Sequence, residues 1–370
     1  MITRLCANNF RSLVDFTAQF DSFAVLCGPN GAGKSAVFDA IRLIRTLALG
    51  DGYLGAEGES DVPRLEFTRW LESTVQEFEL SLTSKGRAFE YLLHLELAAD
   101  DTRPRIIREQ ARCDQRLLLE RDLEGVRFHN RDGKQASFPL DWRQTALASI
   151  QPSATCREIE LLQQAIANVF VIRPSPRTME RESKAESKYP DLSLSNLISW
   201  YCHLSREPAW SESLHDSLRE VWPDFESFHL IDVGLHAKTL QLQFERFDER
   251  NGRSLFFGQL SDGEKALIGL YMIRAALAAD VAQTVLIDEP DNYVGLPELQ
   301  PWILSLLELL DEDHQAIVIS HHPEILNSAG EQFGRYLWRE NHVSPTRIGP
   351  LAAPSGLSAG EAITRGWIRA

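Results

Sequence analysis

Four short stretches of this chain carry the residue types that phosphate chemistry needs. Gly28-Pro29-Asn30-Gly31-Ala32-Gly33-Lys34-Ser35 fits the phosphate-cradling pattern G-x-x-x-x-G-K-[ST]. Its glycines, Gly28, Gly31 and Gly33, let the backbone of the Asn30–Gly33 turn aim N–H groups inward as an anion nest. Lys34 is then placed to reach β- and γ-phosphates, and the Ser35 hydroxyl to ligate Mg²⁺. Thr284-Val285-Leu286-Ile287 ends in two adjacent carboxylates. Asp288, at the strand's end, suits the Mg²⁺ shell, and Glu289 suits the general base that polarises an attacking water. Ile319-Ser320-His321-His322-Pro323 offers two histidines, of which His321 is the better placed to contact a γ-phosphate and sense its loss. In Leu260-Ser261-Asp262-Gly263-Glu264-Lys265, Ser261 and Gly263 are natural phosphate contacts at a helix N-terminus. The same serine and glutamate also read as a helix cap.

Each stretch needs an element to hold it. Phe23–Cys27 is a short apolar run stopped by Gly-Pro, a buried strand, and Ser35–Ile44 continues with apolar residues at helical spacing. The glycine turn therefore lies between a strand and a helix, the context such a match requires. Thr284–Ile287 and Ala316–Ile319 read as two more buried strands, and Ala266–Ala279 as an amphipathic helix. From Arg64 to Phe128, alternating segments such as Tyr91–Leu97 predict antiparallel strands. From about Gln144 to Phe228 the pattern turns helical, as over Cys156–Ala167 and Ser211–Val221, and Thr239–Phe244 alternates once more as a strand. The expected division is 1–143, 144–237 (a helical lobe) and 238–370. No heptad pattern is sustained, so no long coiled coil is expected.

At 370 residues and 44% apolar content, a guide of about 150 residues per domain predicts two or three lobes around a substantial core. Cys6, Cys27, Cys113, Cys156 and Cys202 show no C-x-x-C spacing, so neither a zinc site nor a disulfide framework is indicated, and a reducing cytoplasm is expected. No signal pattern opens the chain and no apolar run approaches about 18 residues, so a membrane role is not expected. A net charge of −15 argues against a protein that coats nucleic acid. Arg103, Arg105, Arg108, Arg112, Arg116 and Arg121 cluster, but Glu109, Asp114 and Glu120 interleave with them as on a solvated face. Arg173, Arg177, Arg181, Lys184 and Lys188, diluted by Glu180, Glu182 and Glu186, are the better candidate for a phosphate-backbone or partner surface.

In this order the four stretches resemble the motifs of ABC-type ATPases, in the branch that holds the RecF, SMC and OLD-like proteins and stand-alone AAA family ATPases. Ile2-Thr3-Arg4-Leu5 and Asn9-Phe10-Arg11-Ser12-Leu13 resemble that branch's opening strand and its "NFRS" element. Ser195-Asn196-Leu197 resembles a segment of its short members. The resemblance implies an α/β ABC-ATPase head: a P-loop NTPase mixed sheet flanked by helices, an antiparallel β lobe and a compact helical insertion. It implies ATP and Mg²⁺ as cofactors, and a homodimer in which two chains sandwich two ATP molecules head to tail. Ser261 of one chain would then complete the site built by Lys34, Asp288 and Glu289 of the other. Asp291 would lie in the loop between the two sites, and Arg11 near the base or phosphates. The family's glutamine that contacts Mg²⁺ and water has three candidates, Gln76, Gln144 and Gln151, with Gln144 the best placed. By analogy with the branch, the expected role is a cytoplasmic ATP-hydrolysing switch for a separately encoded effector, a nuclease or toxin, in prokaryotic anti-phage defence. A RecF-like DNA-binding ATPase in DNA repair and a non-hydrolysing ATP-bound scaffold are the alternatives. A transporter subunit finds no support in the sequence.

Overall fold

The computed structural model describes residues 1–54, 65–97, 104–129, 135–151, 157–245, 253–352 and 356–365. Arg103 and Cys156 lie outside these residues. Strands β1 (Ile2–Asn8) and β2 (Phe16–Gln19) pair antiparallel, and β3 (Phe23–Cys27) leads into helix α1 (Lys34–Leu49). Strands β4 (Val75–Ser84), β5 (Arg87–Leu97), β6 (Pro104–Cys113), β7 (Arg116–Arg121), β8 (Val126–His129) and β9 (Gln135–Phe138) follow. They extend β1 and β2 into an eight-stranded antiparallel sheet of order β2-β1-β4-β5-β6-β7-β8-β9. Along β4 the residues Phe78, Leu80 and Leu82 are buried and their neighbours are not, the period-2 pattern of a sheet with one face on a core.

Helices α2 (Ala146–Ser149) and α3 (Arg157–Ala167) come next, then strand β10 (Val169–Ile172). Helices α4 (Leu197–Leu204) and α5 (Pro208–Val221) precede a three-stranded antiparallel sheet of β11 (Phe225–Val233), β12 (Ala237–Phe244) and β13 (Arg253–Phe256). The chain closes with α6 (Asp262–Ala278), β14 (Thr284–Asp288), α7 (Leu296–Leu307), β15 (Gln315–Ile319), α8 (Pro323–Phe333), β16 (Gly334–Trp338), β17 (Arg347–Pro350) and α9 (Ala359–Thr364).

The central sheet has the order β10-β14-β15-β3-β16-β17 and is parallel except at β17. Every residue of β3, β14 and β15 is buried, as expected of strands covered on both faces. Ala24, Leu26, Leu286, Ile317 and Ile319 face a core shared with α1, α3 and the antiparallel sheet. Val25, Cys27, Val285, Ile287 and Val318 face the opposite core, shared with α4 to α7. The carboxyl ends of these strands therefore open together at one edge, where open α/β sheets bind ligands.

Two sequence expectations change. The stretch read as helical from Gln144 to Phe228 contains β10, which pairs parallel with β14; four buried apolar residues are too short for periodicity to separate strand from helix. Helix α6 is not amphipathic but buried on nearly all sides, as a helix enclosed by its own protein must be. The indole N–H groups of Trp210 and Trp302 donate to its Met272 and Leu270 carbonyls at 3.2 and 3.1 Å. Among the described residues no helix exceeds the 17 residues of α6, so the coiled coil is absent there as expected. No described helix is long and apolar enough to cross a membrane.

Candidate nucleotide site

The glycine turn leaves β3 at Cys27 and is pressed between later parts of the chain. Gly28 has φ 141°, and a Cβ there would lie 2.0 Å from the Leu337 carbonyl oxygen of β16. Gly33 caps α1 at φ 100°, and a Cβ there would meet Thr346 Oγ1 at 2.2 Å. No other residue type fits either place. Thr346 Oγ1 itself lies 2.9 Å from the Ala32 carbonyl and 2.8 Å from Ser12 Oγ, and Arg339 donates to the Gly31 carbonyl at 3.2 Å. Pro29, Asn30 and Gly31 form the exposed tip. Lys34 folds back over the turn, donating to the carbonyls of Gly28 at 2.7 Å and Pro29 at 3.2 Å. Burial lowers the affinity of its amine for a proton, while Glu289 and Asp288 oppose that shift.

Those two carboxylates leave the end of β14 in different environments. Asp288 accepts from Ser35 Oγ at 3.1 Å and from Arg173 Nε at 2.8 Å. Burial raises its pKa, and Arg173 and Ser35 hold the shift in check. Glu289 sits at φ 53°, in the left-handed region, a cost of about 1–3 kcal/mol that clusters at functional sites. Its N–H donates to Ile319 of β15 at 2.8 Å, and its Oε2 accepts from Asn292 at 2.7 Å.

The two histidines also separate. His322 Nδ1 accepts from the Glu324 N–H at 3.3 Å, at the start of α8. His321 keeps a buried Nε2 with no hydrogen-bond partner. Its pKa is lowered by burial first and by Lys34 second, against the opposing fields of Glu289, Asp291 and Asp288. His321 therefore shares one site with Lys34, Asp288 and Glu289. Asp291 accepts from Ser320 Oγ at 2.7 Å, and that oxygen accepts from the His322 N–H at 2.9 Å, tying the β14 and β15 ends together.

The donor set fits magnesium. Ser35 Oγ and Asp288 Oδ2 are hard oxygens, and among the described residues no group of three His, Cys, Asp or Glu could hold a metal by itself. Such a set calls for an ion that takes few protein ligands and fills its shell with phosphate oxygens and water, the habit of Mg²⁺.

Comparison with known proteins now gives the family. The model described as "AAA domain, putative AbiEii toxin, Type IV TA system" matches residues 23–327. The chain belongs to that family. The fold of this AAA domain is that of an ABC-type ATPase head of the RecF/SMC-like branch. An SMC head bound to the C-winged helix domain of ScpA superposes with a TM-score of 0.56 at 17% identity, over 95% of this chain and 98% of that one. An SMC head with an extended coiled coil, bound to the C-terminal domain of ScpA and derived from Pyrococcus furiosus, gives 0.54 at 14% identity over 98% of each chain. No curated protein matches the chain in sequence.

Not all residues singled out in the sequence of this AAA domain meet at that site. Ser261 is an exposed helix cap: its Oγ accepts from the Glu264 N–H at 3.3 Å, and Glu264 Oε2 accepts from the Ser261 N–H at 2.7 Å. A Cβ on Gly263 would meet the Tyr293 carbonyl at 3.0 Å, so the α6 start abuts the loop after β14. Arg11 turns its guanidinium to Asp39 on α1 and to Glu66 at 3.1 Å. Gln144 is exposed and precedes Thr145, whose Oγ1 donates to Leu47 near the far end of α1. At about 1.5 Å per residue, α1 puts Gln144 far from the phosphate turn, which corrects its placement as the best Mg²⁺-contacting glutamine. Gln76 is buried on β4 and donates to the Asn9 carbonyl at 3.0 Å, and Gln151 is exposed.

Arg173 is the site residue that the sequence assigned instead to a phosphate-backbone or partner surface. The segment Asp191–Leu197 explains its position. The Asp191 carboxylate accepts from Ser195 Oγ, the Ser195 N–H at 2.7 Å and the Asn196 N–H at 3.2 Å. That turn presents the Leu192 and Ser193 carbonyls to the N–H groups of Arg173 and Ser175 at 2.6 and 3.0 Å. The signal was available as Asp-x-x-x-Ser-Asn, a local side-chain-to-backbone turn pattern.

Proposed function

We propose that this AAA domain binds ATP with Mg²⁺ and hydrolyses it between two copies arranged head to tail. The observation that carries the reading is the convergence of Lys34, Ser35, Asp288, Glu289 and His321, from three separate stretches, at one edge of the central sheet. The turn of Asn30, Gly31, Ala32 and Gly33 cradles the phosphates, with Lys34 reaching toward the β- and γ-phosphates. Ser35 and Asp288 would hold the magnesium ion, which would supply neutralisation of phosphate charge. Glu289 orients the attacking water and accepts its proton. His321, neutral and unpartnered on Nε2, donates to the γ-phosphate and registers its departure. Ser261 and Gly263 of a second copy close the site from outside, and Arg11 would have to turn from Asp39 and Glu66 to reach the base or phosphates.

In the cytoplasm, ATP-driven closing and opening of the pair would switch a separately encoded effector, a nuclease or toxin in anti-phage defence. The family's description, which names a toxin and a type IV toxin–antitoxin system, supports that role. Binding of ScpA domains by the two SMC heads supports a head that passes its state to a second protein. A DNA-clamping role in repair is favoured less, given the net charge of −15.

The test is the mass of purified wild type and Glu289→Gln with and without Mg-ATP, with phosphate release followed in parallel. The variant should bind ATP, shift to a dimer and lose roughly 10²–10⁴-fold in turnover, the contribution of a general base. Unchanged turnover would remove Glu289 from the chemistry, and a mass indifferent to ATP would remove Ser261 from the site.

A further inference from the structure

Of the groups around Asp288, Arg173 is the one that the phosphate turn and the carboxylate pair do not account for. It follows β10, whose parallel register sets Ile172 beside Ile287, so Arg173 and Asp288 leave the sheet side by side. Its Nε and Nη2 both approach Asp288 Oδ2, at 2.8 and 2.6 Å. The Ser35 hydroxyl donates to the same oxygen at 3.1 Å. A carboxylate oxygen offers about two lone-pair sites, and here the Ser35 hydroxyl and Arg173 Nε take both, with Nη2 closing on the same oxygen as an ion pair. An ion, or a water of its shell, cannot reach Oδ2 until one donor leaves.

The arginine is the donor built to leave. The Asp288 side chain is 5% exposed and fixed, whereas that of Arg173 is 44% exposed. Ser35 is on α1 and is itself one of the residues toward the ion. Arg173 and a magnesium ion on one partly buried oxygen would repel each other at short range, so occupancy by one disfavours the other. Behind Arg173 the chain is stiff: Pro174 and Pro176 fix two backbone angles. The Asp191 turn grips the Arg173 and Ser175 amides. At the other end Arg177 pairs with Asp262 at 3.3 Å, on the first turn of α6 beside Ser261.

We propose that Arg173 is a positioning residue that holds Asp288 Oδ2 in the magnesium ion's stead and yields that oxygen when Mg-ATP enters. Segment 173–177 then registers the arrival of the cation and passes it toward the start of α6. This rests on the reading of Ser35 and Asp288 as the magnesium residues. It assigns Arg173 a task that a static structural pair does not have, because the pair must break for the loaded state to form.

The experiment is a calorimetric titration of Mg²⁺ into the full chain at fixed ATP and pH 8, for wild type, R173Q and R173K. With the competitor gone, R173Q should reach half-saturation at about tenfold less Mg²⁺, the scale of one lost charge-assisted contact. R173K, which keeps a charge without the fork, should fall between the two. An equal or higher Mg²⁺ requirement in R173Q would overturn the exchange. Should neither variant fold, wild type decides alone. Amide exchange at Arg173, Ser175, Arg177 and Thr178 should be faster with Mg-ATP than with ATP and EDTA, and equal exchange would overturn the proposal. ATP binding by wild type with an Mg²⁺ requirement that R173Q leaves unchanged defeats only the exchange. No ATP binding by wild type under either condition defeats the nucleotide reading as well.

Discussion

Ser35 Oγ donates to Asp288 Oδ2 over 3.1 Å although 253 residues of sequence separate them. The bond fastens the first turn of α1 to the end of β14 and fixes two hard oxygens side by side. Held this way, the two oxygens already stand together where an ion would need them, and Arg173 is the group that has to move aside.

Lys34 should dominate phosphate affinity. Its ammonium is buried over the turn and donates to two backbone carbonyls, and a hydrogen bond to a charged group is worth about 1.5–3 kcal/mol. Lys34→Ala should therefore weaken ATP binding by roughly 10- to 100-fold, since each 1.4 kcal/mol is tenfold. Calorimetry with Mg-ATP measures this, and unaltered affinity would exclude Lys34 from the site.

The glycines of the turn should differ sharply in what they tolerate. Gly33→Ala forces a Cβ to 2.2 Å from Thr346 Oγ1 and 2.9 Å from Ser12 Oγ at φ 100°. Gly31 is also left-handed, at φ 79°, but nothing lies within 4 Å of its Cβ position. Backbone strain alone costs about 1–3 kcal/mol, so Gly31→Ala should lower the melting temperature modestly and Gly33→Ala clearly more. Equal losses in a thermal scan would contradict the close approach.

Glu109 should be a stability residue remote from the chemistry. Its side chain is 0% exposed, it lies 3.9 Å from an Arg121 that is 1% exposed, and burial pushes its carboxyl pKa up. It accepts from Tyr91 at 2.9 Å and from the Ala146 and Leu147 amides at 2.7 and 2.9 Å. Removing one member of a buried pair costs about 3–5 kcal/mol, so Glu109→Ala should lose that much in denaturant titration. A loss below about 1 kcal/mol, the value of an exposed pair, would show that the cluster contributes little.

Stability should fall on mild acidification through His321. Its folded pKa lies below the ordinary 6.5 because burial and Lys34 disfavour the imidazolium. Below pH 6.5 the unfolded chain takes up the proton more readily than the folded one, so the stabilisation is full above 6.5 and lost as pH drops. Wild type should show a larger decrease in melting temperature between pH 7.5 and 5.5 than His321→Asn does. Identical decreases would mean that His321 is not held neutral.

How much of this was legible depended on whether chemistry alone dictates the residue. The glycine turn was readable in full, because phosphate binding demands those types at that spacing whatever surrounds them. Of the central strands, β3, β14 and β15 were readable as buried runs; β10 is too short to show a period, and β16 and β17, only partly buried, went unread. Ser261 was double from the start, and the chain shows its capping half; the half proposed above would need a second copy. Arg173 and Arg121 both lay in mixed-charge runs that resemble solvated faces. One is bonded to Asp288 and the other is shut in beside Glu109. Only the strand registers reveal that, and registers join residues far apart in sequence. Gln144 failed for the same reason: its order in the chain is right, but α1 carries it away from the site.

The order of the central sheet also bears on how the molecule is made. Strand β3, which delivers the glycine turn, lies between β15 and β16, so that Phe23 pairs with Ala316 and Val25 with Gly334. At about 5–20 residues per second of synthesis, β3 leaves the ribosome tens of seconds before either neighbour exists. Through that interval its apolar residues have no sheet to join, a long-range pairing that slows folding and exposes the nascent chain to aggregation. A stalled or truncated product ending before β15 would thus display the phosphate motif in its sequence without ever forming the cradle.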